Sequence, residues 1–90
     1  MTYTVAVLHE ADGRFSAIVP ALPGCATWGD TFEEAIDAVG EAIGLYLDTL
    51  RDFGDPLPKD QEVFTLEVGD ATDVSVQRVT VFQEEVAQVA

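Results

Sequence analysis

The sequence predicts an α+β fold, a small antiparallel sheet covered by one long helix, in the order β-β-β-α-β with a possible further strand at the end. Apolar and polar residues alternate in the first 28 positions, between turn residues. From residue 32 to 53, apolar residues recur every three or four positions. β-Branched residues return after residue 62. Ninety residues support one modest core, so residues 1–90 are expected to form a single domain.

The first hairpin is predicted from period-two alternation. Alternate residues in the segment 3–9 would face opposite sides of a sheet, and a second strand begins near Phe15 and ends at Pro20. Between them, Asp12-Gly13 is typical of a tight turn in which both central residues have positive φ. The pattern therefore predicts two adjacent antiparallel strands.

A second turn and a short third strand complete the predicted meander. Pro23 and Gly24 occupy the second and third positions expected of a type II turn. The strand that follows runs from Cys25 to Trp28. Three consecutive antiparallel strands are expected from this segment.

The start of the helix is predicted at Gly29-Asp30-Thr31, which also ends the third strand. Thr31 and Glu34 have the spacing of a capping box, and Asp30 with Glu33 offers an alternative shifted by one residue. Either arrangement begins a helix that should cover the sheet.

A single apolar stripe runs the length of this helix, and Gly54 is the expected residue just past its end. Prolines at 56 and 58 prevent its continuation. The stripe consists of Phe32, Ala35, Ile36, Val39, Ile43, Tyr46, Leu47, Leu50 and Phe53.

The last third of the chain predicts one or two further strands and a tail. Residues 63–68 have the composition of a strand, and residues 74–82 of another. The apolar phase slips near Arg78, which predicts a bulge or an early strand end there. Residues 84–90 are compatible with either a short helix or a frayed tail.

The charge limits the possible partners. Four basic residues and 17 acidic ones give a formal net charge of −13. Nucleic acids and anionic membranes would be repelled, whereas basic proteins would be attracted. Solubility alone is an alternative explanation for the acidic surplus. With one cysteine, Cys25, and no signal-like start, a cytoplasmic protein is expected.

Two groups of residues are candidates for chemistry. His9 and Cys25 could form a nucleophile pair, but an isolated strand histidine and a small apolar thiol are more typical of structural residues. The carboxylates at 33, 37, 41 and 48 share one helix face. They fit a solvated face or a docking surface for a basic partner better than a metal site, which needs converging ligands. No cofactor is predicted.

Several segments resemble the HicB antitoxin family. They are residues 19–25 (VPALPGC), residues 27–35 (TWGDTFEEA) and residues 54–58 (GDPLP), together with Tyr3 and Asp12-Gly13. The resemblance covers about residues 3–58. Its motif residues also have physical roles as turns and caps: Asp12, Gly13, Pro20, Pro23, Gly24, Cys25, Gly29, Asp30, Thr31 and Gly54.

This resemblance implies a partial ribonuclease-H-like fold without nuclease activity. It implies an antitoxin of a type II toxin–antitoxin system, which binds and masks a small basic HicA-like toxin that cleaves mRNA. Dimers or larger oligomers are common in the family, so a homo-oligomer, a dimer or tetramer, is expected. Many relatives add a C-terminal DNA-binding module, but residues 59–90 are too short and too acidic to form one.

Partner contact is expected on the acidic helix face and around Trp28. Two alternatives remain: an orphan HicB-like scaffold or small-ligand-binding protein, and a metal-dependent nuclease on the same fold. The expected contact residues are Glu33, Asp37, Glu41, Asp48 and Trp28.

Overall fold

The computed structural model describes residues 1–82, which form one four-stranded antiparallel sheet with a single helix against one side. The strand order is β3-β2-β1-β4. The predicted fold class is confirmed, with one strand after the helix. The elements are β1 (Thr2–His9), β2 (Phe15–Ile18), β3 (Ala26–Gly29), α1 (Phe32–Asp52) and β4 (Asp73–Thr80).

The sheet has an inner face, covered by α1, and an outer face. Tyr3 of β1 pairs with Val79 of β4, and Val7 pairs with Ala17 of β2, so these residues lie together on the inner face. Their apolar side chains and the buried side of α1 form the core. The core residues are Tyr3, Val5, Val7, Ala17, Val19, Ala21, Leu22, Cys25, Val39, Ile43 and Leu47.

The first hairpin turn differs from the prediction. Only Gly13 has a positive φ, 95°, whereas Asp12 does not. The Gly13 N–H donates to the Glu10 carbonyl at 2.9 Å, and the Glu10 N–H donates to the Arg14 carbonyl at 2.8 Å. Because the loop is longer than two residues, a single left-handed glycine suffices to close it.

The turn before β3 agrees with the prediction. The Cys25 N–H donates to the Leu22 carbonyl at 2.9 Å, and Gly24 has a φ of 83°. These are the features of a type II turn with proline at its second position. Cys25 itself is buried in the core.

Both ends of α1 are capped as the sequence indicates. Thr31 is the N-cap, and its hydroxyl accepts from the Glu34 N–H at 3.1 Å. The Glu34 carboxylate accepts from the Asp30 N–H at 3.0 Å, so Asp30 is not the cap. At the other end, Gly54 has a φ of 73° and closes a Schellman motif. The capping box and Gly54 therefore predicted both ends of this helix correctly.

Residues 63–68 are not a strand, so that prediction was wrong. β1 already has β2 and β4 as neighbours, so no edge of β1 is free for this segment. Its end lies against the outer face, where Val68 lines a groove with Leu8 and Ile18. Phe64 and Leu66 are half-buried, and Thr65 between them is exposed. The apolar and polar residues of this segment therefore alternate because one side of the segment faces the sheet. The segment does not form the hydrogen bonds of a strand.

The bulge predicted at Arg78 is also absent. Eight consecutive residues of β4 pair with β1 without interruption. The apolar phase changes because different ends of β4 are covered on different faces: Val79 packs on the core, whereas Val74 and Val76 lie on the outer face. The tail predicted for residues 84–90 lies outside the described residues. Within residues 1–82, no helix is long and apolar enough to cross a membrane.

Candidate functional site

The acidic helix face is exposed, as its spacing requires. Its residues project from the side of α1 opposite the core positions Ala35, Val39, Ile43 and Leu47. The first three are four residues apart, close to one helical turn, so they form a row. The acidic helix face consists of Glu33, Asp37, Glu41 and Asp48, all exposed.

No ion pair within residues 1–82 involves this row. The ion pairs within residues 1–82 join Arg14 to Asp12, and Arg78 to Asp60 and Glu62. Like charges at this spacing repel each other slightly, by about 0.2–0.5 kcal/mol per pair. A cationic surface brought against the row would relieve that repulsion.

Trp28 does not belong to this surface. It pairs with Ser16 across the sheet, and the next residue, Gly29, faces α1, so the indole lies on the outer face. The sequence grouped Trp28 with the helix acids, but the structure places the sheet between them. The two therefore form separate candidate surfaces.

Trp28 lines a groove of about 760 Å³ on the outer face. Leu8, Ile18 and Ala26 supply an apolar floor, and residues 67–70 form the opposite wall. Trp28 is 53% exposed, which is high for a residue of its size. Together with four acidic residues on its rim, these groups define the outer groove: Leu8, Ile18, Ala26, Trp28, Val68, Glu10, Asp12, Glu67 and Asp70.

A small cluster orders one end of the groove. The Arg14 guanidinium carbon lies 4.7 Å from the centroid of the Trp28 ring, a cation–π distance. Asp12 holds the same guanidinium, with Nη2 to Oδ2 at 3.0 Å. The hydrogen bond donated by the Arg14 backbone N–H, followed by that from its side chain, lowers the pKa of Asp12. Arg14 thus holds the indole in place, and the Trp28 residue is still 53% exposed.

Asp60 ties the segment that forms the far wall to the sheet. Its Oδ1 accepts from the Thr4 N–H and its Oδ2 from the Thr4 hydroxyl, both at 2.7 Å. β2 ends at Ile18, so Asp60 satisfies a β1 amide that β2 does not reach. The hydroxyl of Tyr3 also donates to the carbonyl of Pro58.

The titration of Asp60 follows from these contacts. Desolvation alone would raise the pKa of Asp60, but the two hydrogen bonds from Thr4, a backbone hydrogen bond from Gln61 and the Arg78 charge outweigh it. The pKa of Asp60 is therefore below its usual value. Burial raises the pKa of Tyr3, and the nearby Asp60 charge adds to that effect.

The structure does not bring His9 and Cys25 together. His9 pairs with Phe15, which pairs with Gly29, so His9 lies in the row that crosses the end of β3. Cys25 is four residues from Gly29, about 13 Å along the strand. The His9 ring stacks on Phe15 instead, with ring centroids 4.2 Å apart. Burial raises the pKa of the Cys25 thiol, which disfavours the thiolate.

The carboxylates are the candidate metal ligands of this chain. In the part of the chain that the structure describes, no group of three or more histidine, cysteine, aspartate or glutamate side chains is placed to hold a metal ion. On α1 the acidic side chains project outward in a row instead of converging on one point.

Sequence reasoning missed the outer groove. Its residues come from β1, β2, β3, the first hairpin turn and the segment 67–70, which are far apart in the chain. Glu10, Glu67 and Asp70 carry no motif. One signal was available in the sequence. Successive residues of a strand face opposite sides of the sheet, so Trp28 and its neighbour Gly29 had to lie on different faces.

Comparisons with known proteins point to one family. The model of the HicB_like antitoxin family of bacterial toxin–antitoxin systems matches residues 3–87. A UPF0150 protein of Synechocystis sp. is 48% identical over 58 residues, which cover 64% of this chain and 73% of that protein. A UPF0150 protein of Thermoplasma acidophilum is 42% identical over 60 residues, which cover 67% of this chain and 87% of that protein.

Solved structures show the same fold. The N-terminal domain of the Burkholderia pseudomallei antitoxin HicB matches with a TM-score of 0.68 and 25% identity, covering 91% of this chain and 99% of that one. The longer HicB structure matches with a TM-score of 0.67 and 25% identity, over 90% of this chain and 63% of that chain. A chain of a HicA3–HicB3 toxin–antitoxin complex, 22% identical with a TM-score of 0.63, shares the fold over 91% of this chain and 99% of that chain.

The family match spans nearly all of the chain, and the segments that carry the resemblance are the turns and caps that build the meander and start α1. The chain belongs to the HicB-like antitoxin family of bacterial toxin–antitoxin systems.

Proposed function

We propose that this protein is the antitoxin of a type II toxin–antitoxin system and that it binds and masks a small basic toxin that cleaves mRNA in the cytoplasm. Family membership supports the antitoxin role. The observation that carries the choice of partner is the acidic helix face, an exposed row of carboxylates that form no ion pair within residues 1–82, in a chain of net charge −13. A basic toxin is the partner that such a surface would attract and hold.

The two candidate surfaces differ in what they offer a toxin. The acidic helix face offers charge alone, which favours fast encounter and adds modest affinity. The outer groove offers an exposed indole and an apolar floor with acids around it, the composition of an energetic anchor. We place primary contact on the acidic helix face and treat the groove as the competing surface.

Partner identity is tested by co-purification from the native cell, followed by mass spectrometry. We expect a small basic protein in stoichiometric amount, released at high salt because exposed ion pairs are screened. Recovery of the protein without any basic partner would favour the orphan scaffold or ligand-binding alternative.

The contact surface is tested with two variants of equal charge. Glu33, Asp37, Glu41 and Asp48 are replaced by lysine in one, and four groove-rim acids in the other. Four exposed ion pairs at about 0.2–1 kcal/mol each total about 0.8–4 kcal/mol, so the helix variant should bind the co-purified toxin on the order of 50-fold more weakly. Isothermal titration calorimetry measures the change. The rim residues for the comparison are Glu10, Asp12, Glu67 and Asp70.

Because both variants change the net charge by the same amount, general attraction is altered equally. A large loss only in the rim variant would move the toxin contact to the outer groove. Unchanged affinity in both would contradict recognition by charge.

A further inference from the structure

We propose that the outer groove is a binding site for a linear polyamine, a small molecule that carries several ammonium groups along an aliphatic chain. The groove and the acidic helix face lie on opposite sides of the sheet. A ligand in the groove therefore leaves the helix face free, and the proposal holds or fails independently of the toxin.

The groove carries an excess of negative charge. Its lining includes four carboxylates and one guanidinium, which leaves three formal negative charges. The guanidinium, that of Arg14, is already paired with Asp12. Glu10, Glu67 and Asp70 form no ion pair within residues 1–82. This surface attracts a cationic ligand and repels a phosphate or a carboxylate.

The carboxylates are spread around the rim. Glu10 follows the end of β1, whereas Glu67 and Asp70 belong to the wall formed by residues 67–70. Within residues 1–82, no three acidic, histidine or cysteine side chains converge on a position that could hold a metal ion. A single cation therefore cannot contact all of these carboxylates, whereas ammonium groups spaced along a flexible chain can pair with them separately.

The floor between the carboxylates is apolar. Leu8, Ser16 and Trp28 form one row across the outer face, and Ile18 and Ala26 belong to the next row. Trp28 presents a large exposed apolar surface beside them. A hydrated inorganic cation would leave this surface in water, whereas the methylene groups of a polyamine would cover it. The volume of about 760 Å³ lies in the range of small-molecule sites.

The wall that carries two of the acids is held in place by the chain itself. The Ala71 N–H donates to the Val68 carbonyl at 3.0 Å. The N–H and the hydroxyl of Thr72 both donate to the His9 carbonyl, at 2.7 and 3.1 Å. A ligand therefore meets a wall that is already formed, which lowers the cost of ordering on binding.

The backbone of the floor favours a polyamine over a peptide segment. β1 and β2 each have a neighbouring strand on both sides, so their backbone groups are paired within the sheet. A peptide lying on this face would bury amide groups that find no strand to pair with. A polyamine has no amide groups, and its ammonium groups stay at the acidic rim.

The first test uses fluorescence, because Trp28 is the only tryptophan of the chain. The purified full chain is titrated with spermidine, a linear triamine, at physiological salt. We expect a saturable change in the tryptophan emission. Butylamine, which has one ammonium group, and Mg²⁺ at matched ionic strength should not produce this change at the same concentrations.

The second test compares two double variants by isothermal titration calorimetry. Glu67→Gln with Asp70→Asn removes two charges from the rim, and Asp52→Asn with Asp55→Asn removes two exposed charges that do not line the groove. The rim variant should bind spermidine about tenfold more weakly, the loss expected for two ion pairs at a partly apolar site. The control should bind as the wild type does.

Four results would overturn the proposal. They are an emission that spermidine does not change up to millimolar concentration, a change that Mg²⁺ reproduces, an equal loss of affinity in both double variants, and tighter binding of a short capped lysine–leucine peptide than of spermidine. The last result would make the groove a peptide site. Because no toxin is present in these experiments, none of the four decides whether the protein is an antitoxin.

Discussion

Replacing Gly29 with alanine should destabilise the fold by about 3 kcal/mol, within the upper range for inserting a methyl group into a packed site. An alanine Cβ would lie 2.5 Å from the backbone nitrogen of Ala35 and 2.8 Å from the carbonyl carbon of Glu34. Those atoms belong to the first turn of α1 and cannot rotate away as a flexible side chain could. The strain therefore has to separate β3 from the helix.

Chemical denaturation of Gly29→Ala measures the change in the free energy of unfolding, and Gly40→Ala is the matched control. Gly40 lies in α1, and no atom beyond its chain neighbours and the local helix backbone lies within 4 Å of its potential Cβ. Alanine there should stabilise the protein by up to about 1 kcal/mol through helix propensity. If both variants lost stability equally, the close approach of Gly29 to α1 would not be the cause.

The motif around Gly29 is short because the change from strand to helix depends on residues close together in the sequence. The segment 27–35 turns a strand into a helix within three residues, which requires a glycine at the contact, a cap at Thr31 and a carboxylate at Glu34. Each requirement depends on neighbours in sequence. For this reason the meander, the helix and its caps could be predicted from the sequence.

The C-terminal part depends on contacts between distant residues and was predicted less well. Residues 63–68 have strand-like composition, but whether they join the sheet depends on whether the other strands leave a free edge within their reach. The expectation that Asp12 has a positive φ was also wrong, because the length of the loop and not the Asp-Gly pair decides the turn type. Alternation alone cannot distinguish a strand from a chain lying across a sheet.

The candidate surfaces show the same division. The acidic helix face follows from the spacing of four residues on one helix, and the structure leaves all four exposed. The outer groove, which requires β1, β2, β3 and the segment 67–70 to meet, does not follow from any spacing. Trp28 belongs to the groove because side chains alternate along β3, and its position in that alternation places it on the outer face.

Replacing Asp60 with alanine should lower the free energy of unfolding by about 3 kcal/mol and loosen the far wall of the groove. Thr4 is buried, so its N–H and hydroxyl would both lose their acceptor without access to water. An unsatisfied buried donor costs about 1–3 kcal/mol. The side chain of Asp60 is only 17% exposed, which limits solvent screening of these bonds.

Glu62→Ala is the control, because Glu62 also pairs with Arg78 but is well exposed. Its loss should cost no more than about 0.5 kcal/mol. Thermal and urea unfolding of the two variants at neutral pH separates the buried contact from the exposed ion pair. Equal effects would show that Asp60 acts only through Arg78.

The pH dependence gives an independent measure of the same contact. The pKa of Asp60 is lower in the folded than in the unfolded chain, so its contribution to stability is complete above the unfolded value of about 4 and is lost as the pH falls through the folded value. The difference in the free energy of unfolding between wild type and Asp60→Ala should therefore shrink as the pH falls below about 4, because the carboxyl becomes protonated. A stability difference that stayed constant down to pH 2 would mean that the ionised carboxylate is not what holds residues 59–72 to the sheet.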